Sequence, residues 1–258
     1  CEAKPEHPAV TRFAARSRWA AKLLAFGLMS LPGCKEATVS LLPATLLPPP
    51  APPDDGLGPV SQWSLDADAG DTVGDNHGLP LGMVTFQTDP LRGGVLVCDG
   101  VDAAISVRNV TTLDFSYSAW IWTETPSRQG DSAISGDAIF WSNKTPALDD
   151  FTLALLNDRL SYISHDQKST GTRSLIDGVW HHVVVTRRDA ERVALYVDGQ
   201  VDGDGNSGTG SLQANPSVYF CGNPEQGGYF QGKMDDVRYY ERVLTPEEVL
   251  ALYSETAL

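Results

Sequence analysis

From Ser61 onward the sequence breaks into short runs rich in Val, Ile, Leu, Phe, Tyr and Trp, divided by clusters of Gly, Asp and Asn. That punctuation constrains the fold more than any other feature. The runs are of strand length, and the turn residues between them leave no room for crossover helices. Candidate strands fall at residues 62–65, 95–98, 104–107, 115–122, 138–141, 151–156, 160–164, 180–186, 193–197, 218–221 and 234–240. Strands in this number, without alternating helices, predict an all-β, antiparallel two-sheet sandwich. Asp198-Gly199 after Leu195-Tyr196-Val197 is a tight-turn signal, because Gly takes positive φ without steric cost. The end of the chain reads differently. Thr245-Pro246-Glu247-Glu248 combines a capping Thr, Pro at the first helical position and an acid at the third, ahead of Val249, Leu250, Leu252 and Tyr253. It predicts one short C-terminal helix, packed on an end of the sandwich.

The N-terminal part has another character. Residues 1–34 hold five basic groups and two acidic ones, whereas the whole chain carries a net charge of −14. Arg12, Arg16, Arg18 and Lys22 precede an apolar run at residues 23–31. A membrane-spanning helix needs about 20 apolar residues, so this run suits the core of a secretory signal instead. It ends in Leu31-Pro32-Gly33-Cys34, which resembles the signal of bacterial lipoproteins. That resemblance implies cleavage before Cys34 and lipidation of Cys34. Lys35, in place of a retention Asp, is compatible with the outer membrane. Residues 43–59, PATLLPPPAPPDDGLGP, cannot join a sheet or helix interior, because Pro lacks an N–H and fixes φ. The organisation expected is a signal at 1–34, an extended tether at 35–60 and a folded body at 61–258. The localisation expected is the cell envelope, with the membrane engaged through the lipid alone. The acidic balance excludes nucleic acid, which needs a basic face.

Three segments of the body carry a family resemblance. They are Phe115-Ser-Tyr-Ser-Ala-Trp120-Ile-Trp122, the stretch from Asp177 through Trp180-His181-His182 to Asp198-Gly199, and Gly232-Lys-Met-Asp235 through Tyr240 to Leu244-Thr. In order and spacing, with the closing helix, they resemble the laminin-G-like, concanavalin A-like jelly roll. Val97-Cys98-Asp99-Gly100 is similar to an early strand of that family, with Cys98 where Phe is usual. The resemblance covers residues 61–254. It implies a jelly-roll sandwich that serves lectins, adhesion modules, lyases and hydrolases alike, so function must come from the site.

Cys98 and Cys221 lie in apolar strand runs. In an exported chain they are expected to pair; the alternative is two separate buried thiols. Two acidic loops, one from Asp66 to Asn76 and one from Asp198 to Asn206, suggest calcium, which prefers many oxygen ligands. Alternation along residues 235–240 puts Asp235 on the face of Val237 and Tyr239, where a buried carboxylate needs a partner. Asp235 with Asp66 and Asp75 is therefore the first expected calcium site, matching a structural calcium that the resemblance implies. Asp202, Asp204 and Asn206 form the second. For a ligand, Ser116, Ser118, Trp120 and Trp122 share one face of their strand; Trp120 reads as packing and Trp122 as a platform for a sugar ring. Asn223 and Tyr229 are the alternative rim. His181 and His182 point to opposite faces and do not share a site easily. No Glu-x-Asp-x-Glu strand, Gly-x-Ser-x-Gly elbow or phosphate loop occurs. The function expected is a non-catalytic, lipid-anchored module that binds a polysaccharide or surface glycan. The alternatives are an envelope module that binds another protein and a polysaccharide lyase or hydrolase.

Overall fold

The computed structural model describes residues 57–131, 135–142, 151–164, 167–189, 191–208 and 212–257. Cys34 and tether residues 35–56 lie outside the described residues. No helix among the described residues is long and apolar enough to cross a membrane.

Two antiparallel sheets stack, as the alternation predicts. The eight-stranded sheet runs β13 (Gln200–Gly205), β12 (Arg192–Val197), β11 (Trp180–Arg188), β6 (Phe115–Trp122), β15 (Gln231–Tyr240), β4 (Gly93–Asp99) and β3 (Thr85–Asp89). Its eighth strand, β1 (Ser61–Trp63), also pairs with β15. β4 takes the first half of that edge and β1 the second. The seven-stranded sheet runs β10 (Gln167–Ser174), β9 (Arg159–Ser164), β8 (Phe151–Leu156), β7 (Asp137–Trp141), β14 (Ser217–Phe220), β5 (Ala104–Arg108) and β2 (Leu79–Leu81).

The space between the sheets is filled by alternate residues of both. Tyr117 is its hub, with ring centroids 4.8 Å from Tyr239 and 5.1 Å from Phe140. Trp63 meets Phe220 edge-on at 5.0 Å. The Tyr117 hydroxyl lies 3.1 Å from that of Thr111, and the Tyr239 hydroxyl donates to the Val110 carbonyl. These bonds remove the cost of burying a phenol. Cys98 on β4 and Cys221 after β14 form a disulfide across the sheets, with Cα atoms 5.4 Å apart.

Helix α1 (Pro246–Thr256) is capped as expected. Thr245 accepts from the Glu248 amide, and Glu248 accepts from the Thr245 amide. Its position differs from the expectation. It packs on the outer face of the eight-stranded sheet, where Val249 and Leu252 meet Val184, Tyr196, Tyr240 and Leu244. The unbroken run Val183-Val184-Val185 is the reason: β11 is covered on both faces, and α1 covers the outer one.

Candidate functional site

The outer face of the eight-stranded sheet carries two transverse rows of side chains. In the first, register aligns Trp180 on β11, Trp122 on β6, Lys233 on β15 and Val97 on β4. In the second it aligns His182, Trp120 and Asp235.

Trp122, Lys233 and Val97 of the first row border a groove of about 300 Å³, lined also by Gln87, Asp99, Thr123, Glu124 and Gln231. Trp122 is half-buried there, its indole N–H fixed to the Gly178 carbonyl at 2.6 Å. The Lys233 ammonium sits 4.6 Å from the centre of the Trp122 ring and 2.7 Å from the buried Asp89 carboxylate. Asp89 also accepts from the Trp180 indole at 3.2 Å. Burial raises the Asp89 pKa, but Lys233, the Leu91 amide and Trp180 outweigh it and hold the group below the usual range. The row is therefore locked into the fold through a neutralised ion pair. Asp99 is committed too: one of its oxygens accepts from the amides of Val101, Asp102 and Ala103. Gln87, Glu124 and Gln231 are exposed along the groove.

The second row is closed over by α1. Trp120 packs between Tyr253, His182 and the Arg92 guanidinium, at 5.7, 5.2 and 4.3 Å. It is a packing residue, as expected. His182 is buried and its pKa falls to about 4, because burial penalises the charged form. His181 projects to the opposite face, between Asp198 at 2.9 Å and Asp177 at 3.1 Å. Burial lowers its pKa, yet the two carboxylates outweigh burial and the net shift is upward. Both histidines hold structure.

Asp235 corrects one expectation. Val237 and Tyr239 do enter the interior, but Asp235 lies opposite Trp120 on the outer face. The register shifts between Asp235 and Arg238, and Asp236 has φ of 44°. That bulge reverses the alternation. The Asp235 carboxylate is 2.6 Å from Arg92 Nε. Burial is the largest influence on it and pushes its pKa up to about 6, against the pull of Arg92.

The expected calcium ligands do not assemble. Asp66 shares a cavity of about 270 Å³ with Asp235 and Asp236, but Asp75 is on the surface, paired with Arg108 at 2.9 Å. Asp236 is held by Arg238 at 2.9 and 3.0 Å. Calcium needs six or more oxygens, and here guanidinium N–H groups face the carboxylates. The residues present do not fit that ion. In the second set, Asp202 accepts from the Thr172 hydroxyl and amide and the Arg173 amide, at 3.0 to 3.2 Å. It seals β13 to β10, where the edges of the two sheets meet. Asp204 instead pairs with Arg192, and Asn206 is exposed. Among the described residues no group of three or more His, Cys, Asp or Glu is placed to hold a metal.

Of the alternative rim, Asn223 is an internal brace and Tyr229 is half-buried. Asn223 is buried and accepts from the amides of Glu225 and Gln226, both at 3.0 Å. Tyr229 lies on Gly222, where no side chain would fit. Neither residue lines the groove beside Trp122. The sequence reading missed Lys233, Asp89 and Arg92. Alternation back from Trp122's partner strand could have found Lys233; nothing local marks the other two.

The family described as the concanavalin A-like lectin/glucanases superfamily, of laminin-G type, matches residues 99–250. The chain belongs to this family. Among solved structures it is similar to domain 4 of AbnA, a GH43 extracellular arabinanase from Geobacillus stearothermophilus, in complex with arabinotriose. The identity is 20% and the TM-score 0.60, covering 76% of this chain and 98% of that one. The binding domain of Paraclostridial Mosquitocidal Protein 1 is similar at 15% identity and TM-score 0.59, covering 77% of this chain and 52% of that one. The receptor-binding domain of botulinum neurotoxin C/D mosaic serotype gives 15%, 0.58, 77% and 51%. This member of the laminin-G-type family thus spans about half of those two toxin structures. At such identities the likeness concerns the fold.

Proposed function

We propose that this chain is a non-catalytic carbohydrate-binding module that takes a neutral polysaccharide in the groove beside Trp122. One observation carries the reading. A half-exposed indole, held rigid by its own N–H bond, shares a groove with the exposed ends of Gln87, Glu124 and Gln231. An apolar ring edge beside amide and carboxylate groups matches the mixed apolar and hydroxyl surface of a sugar. Charge favours a neutral chain, because the groove's cation, Lys233, is neutralised by Asp89 and Glu124 is left uncompensated. A uronate or sulfated sugar would meet no available positive partner. Glycoside hydrolysis needs two working carboxyl groups; Asp99 is spent on backbone amides, which leaves Glu124 alone. The arabinotriose complex of AbnA domain 4 is in keeping with a sugar ligand on this fold.

The full chain on an array of neutral and acidic glycans tests the proposal. Neutral chains are expected to bind, Trp122→Ala to weaken binding at least about tenfold, and no product to be released. Preference for polyuronates, or binding indifferent to Trp122→Ala, overturns it. The module is carried, in this proposal, on an exported chain anchored by lipid at Cys34; the Cys98–Cys221 bridge supports an oxidising compartment. Acyl labelling of the parent and its absence in Cys34→Ala is the expected result. Protein binding is a second reading, favoured by Leu79, Met83 and Val101, which are 63%, 72% and 70% exposed near the β2 and β3 edges. A partner that survives Trp122→Ala but not Met83→Asp would select it.

A further inference from the structure

The Arg92 side chain, on the turn between β3 and β4, is 7% exposed, as is that of Asp235. Besides lying 5.8 Å from the centre of the Trp180 ring, it makes three closer contacts. Nε binds Asp235, Nη1 donates to the Thr256 carbonyl at 2.9 Å, and the guanidinium lies 4.3 Å from the centre of the Trp120 ring. Trp120 in turn donates to the Thr256 hydroxyl at 3.0 Å. Thr256 ends α1, and the last turn of α1 contains no basic residue of its own. A helix C-terminus presents unpaired carbonyls and a partial negative charge. Arg92 thus supplies one positive group to a buried carboxylate, to a helix end and to an indole, from a turn more than a hundred residues away in sequence.

We infer that Arg92 is the resident cation of this site: it does the fastening that a calcium ion was expected to do, and it docks α1 without any metal. The geometry supports this twice. The carboxylate nearest the expected ion already accepts from Nε. The same guanidinium also reaches the helix end, which a metal held by Asp66 and Asp235 alone would leave uncapped. The inference does not depend on glycan binding.

Thermal unfolding of the full chain in chelator, and then in millimolar calcium, gives the first arm. The two curves are expected to coincide; a calcium-dependent rise of more than about 5 °C would overturn the inference. The second arm is Arg92→Met, which keeps the stem and removes the charge. It should lower the melting temperature by about 10 °C, because it strands a buried carboxylate. Amide exchange should accelerate in α1 while β6 and β11 stay protected. Adding Asp235→Asn should recover part of the melting temperature but leave α1 exchange fast. A Met variant with unchanged α1 exchange would refute the docking role, whatever its melting temperature. If that variant does not fold, the parent's response to chelator and calcium still decides.

Discussion

On one face of the eight-stranded sheet the packing is mainly aromatic and aliphatic, crossed by a disulfide, with one buried arginine, Arg187, that donates to the Leu113 and Gly208 carbonyls; on the other, under α1, a smaller layer includes an arginine, an aspartate and a histidine. The inner layer gains most of its stability from area removed from water, which is non-directional. The outer layer needs each donor to meet its acceptor, because an unpaired buried charge costs several kcal/mol. The first tolerates exchange of one apolar side chain for another of like volume; the second does not.

The contrast can be broken in three places. Replacing Cys98 and Cys221 by Ala should cost about 4–5 kcal/mol on the chain-entropy model, since the loop spans 123 residues. Denaturant unfolding measures it, and a loss smaller than that of any α1 variant would reverse the ranking of the layers. Next, Phe220→Ala in the inner layer should cost about 3–5 kcal/mol, and Leu252→Ala under α1 about 2–3 kcal/mol. Only the second should speed exchange in the helix without loosening the strands. The third test uses pH. His182 is neutral in the fold with a pKa of about 4, below its unfolded value, so its stability contribution is present near neutral pH and is lost as pH falls from about 6.5 towards 4. Asp235, raised to about 6, works the other way: its contribution is present at low pH and lost as pH rises from about 4 through 6. Each is worth up to about 3 kcal/mol. The two should largely cancel in the parent. His182→Phe should gain relative stability on acidification and Asp235→Asn should lose it. Parallel curves for both variants and the parent would show that neither group titrates with folding.

Legibility in the sequence follows the same division. The eleven runs read as strands are those whose side chains alternate or lie buried on both faces. Four strands escaped: β2, β3, β10 and β13. They are the four outer edges of the two sheets. Their side chains are mostly exposed; β2, β10 and β13 contain Pro80, Gly171 and Gly203 in place of an apolar rhythm, and β3 has a single Phe86 among polar residues. An edge strand has neighbours on one side and need not pack on both faces, so its sequence carries less of the signal. Trp122 was legible because its own strand displays it. The Arg92–Asp235 pair was not, because its partners are 143 residues apart and a bulge at Asp236 hides the face on which Asp235 emerges. Asp202 was read as a ligand for the same reason: its true partners, Thr172 and Arg173, belong to an edge strand that the sequence does not announce.

Cys98 joins the two sheets and also forms part of the wall of the groove beside Trp122. The wall and the cross-brace are one residue. Reducing the bridge would therefore slacken one wall of that groove together with the tie between the two sheets.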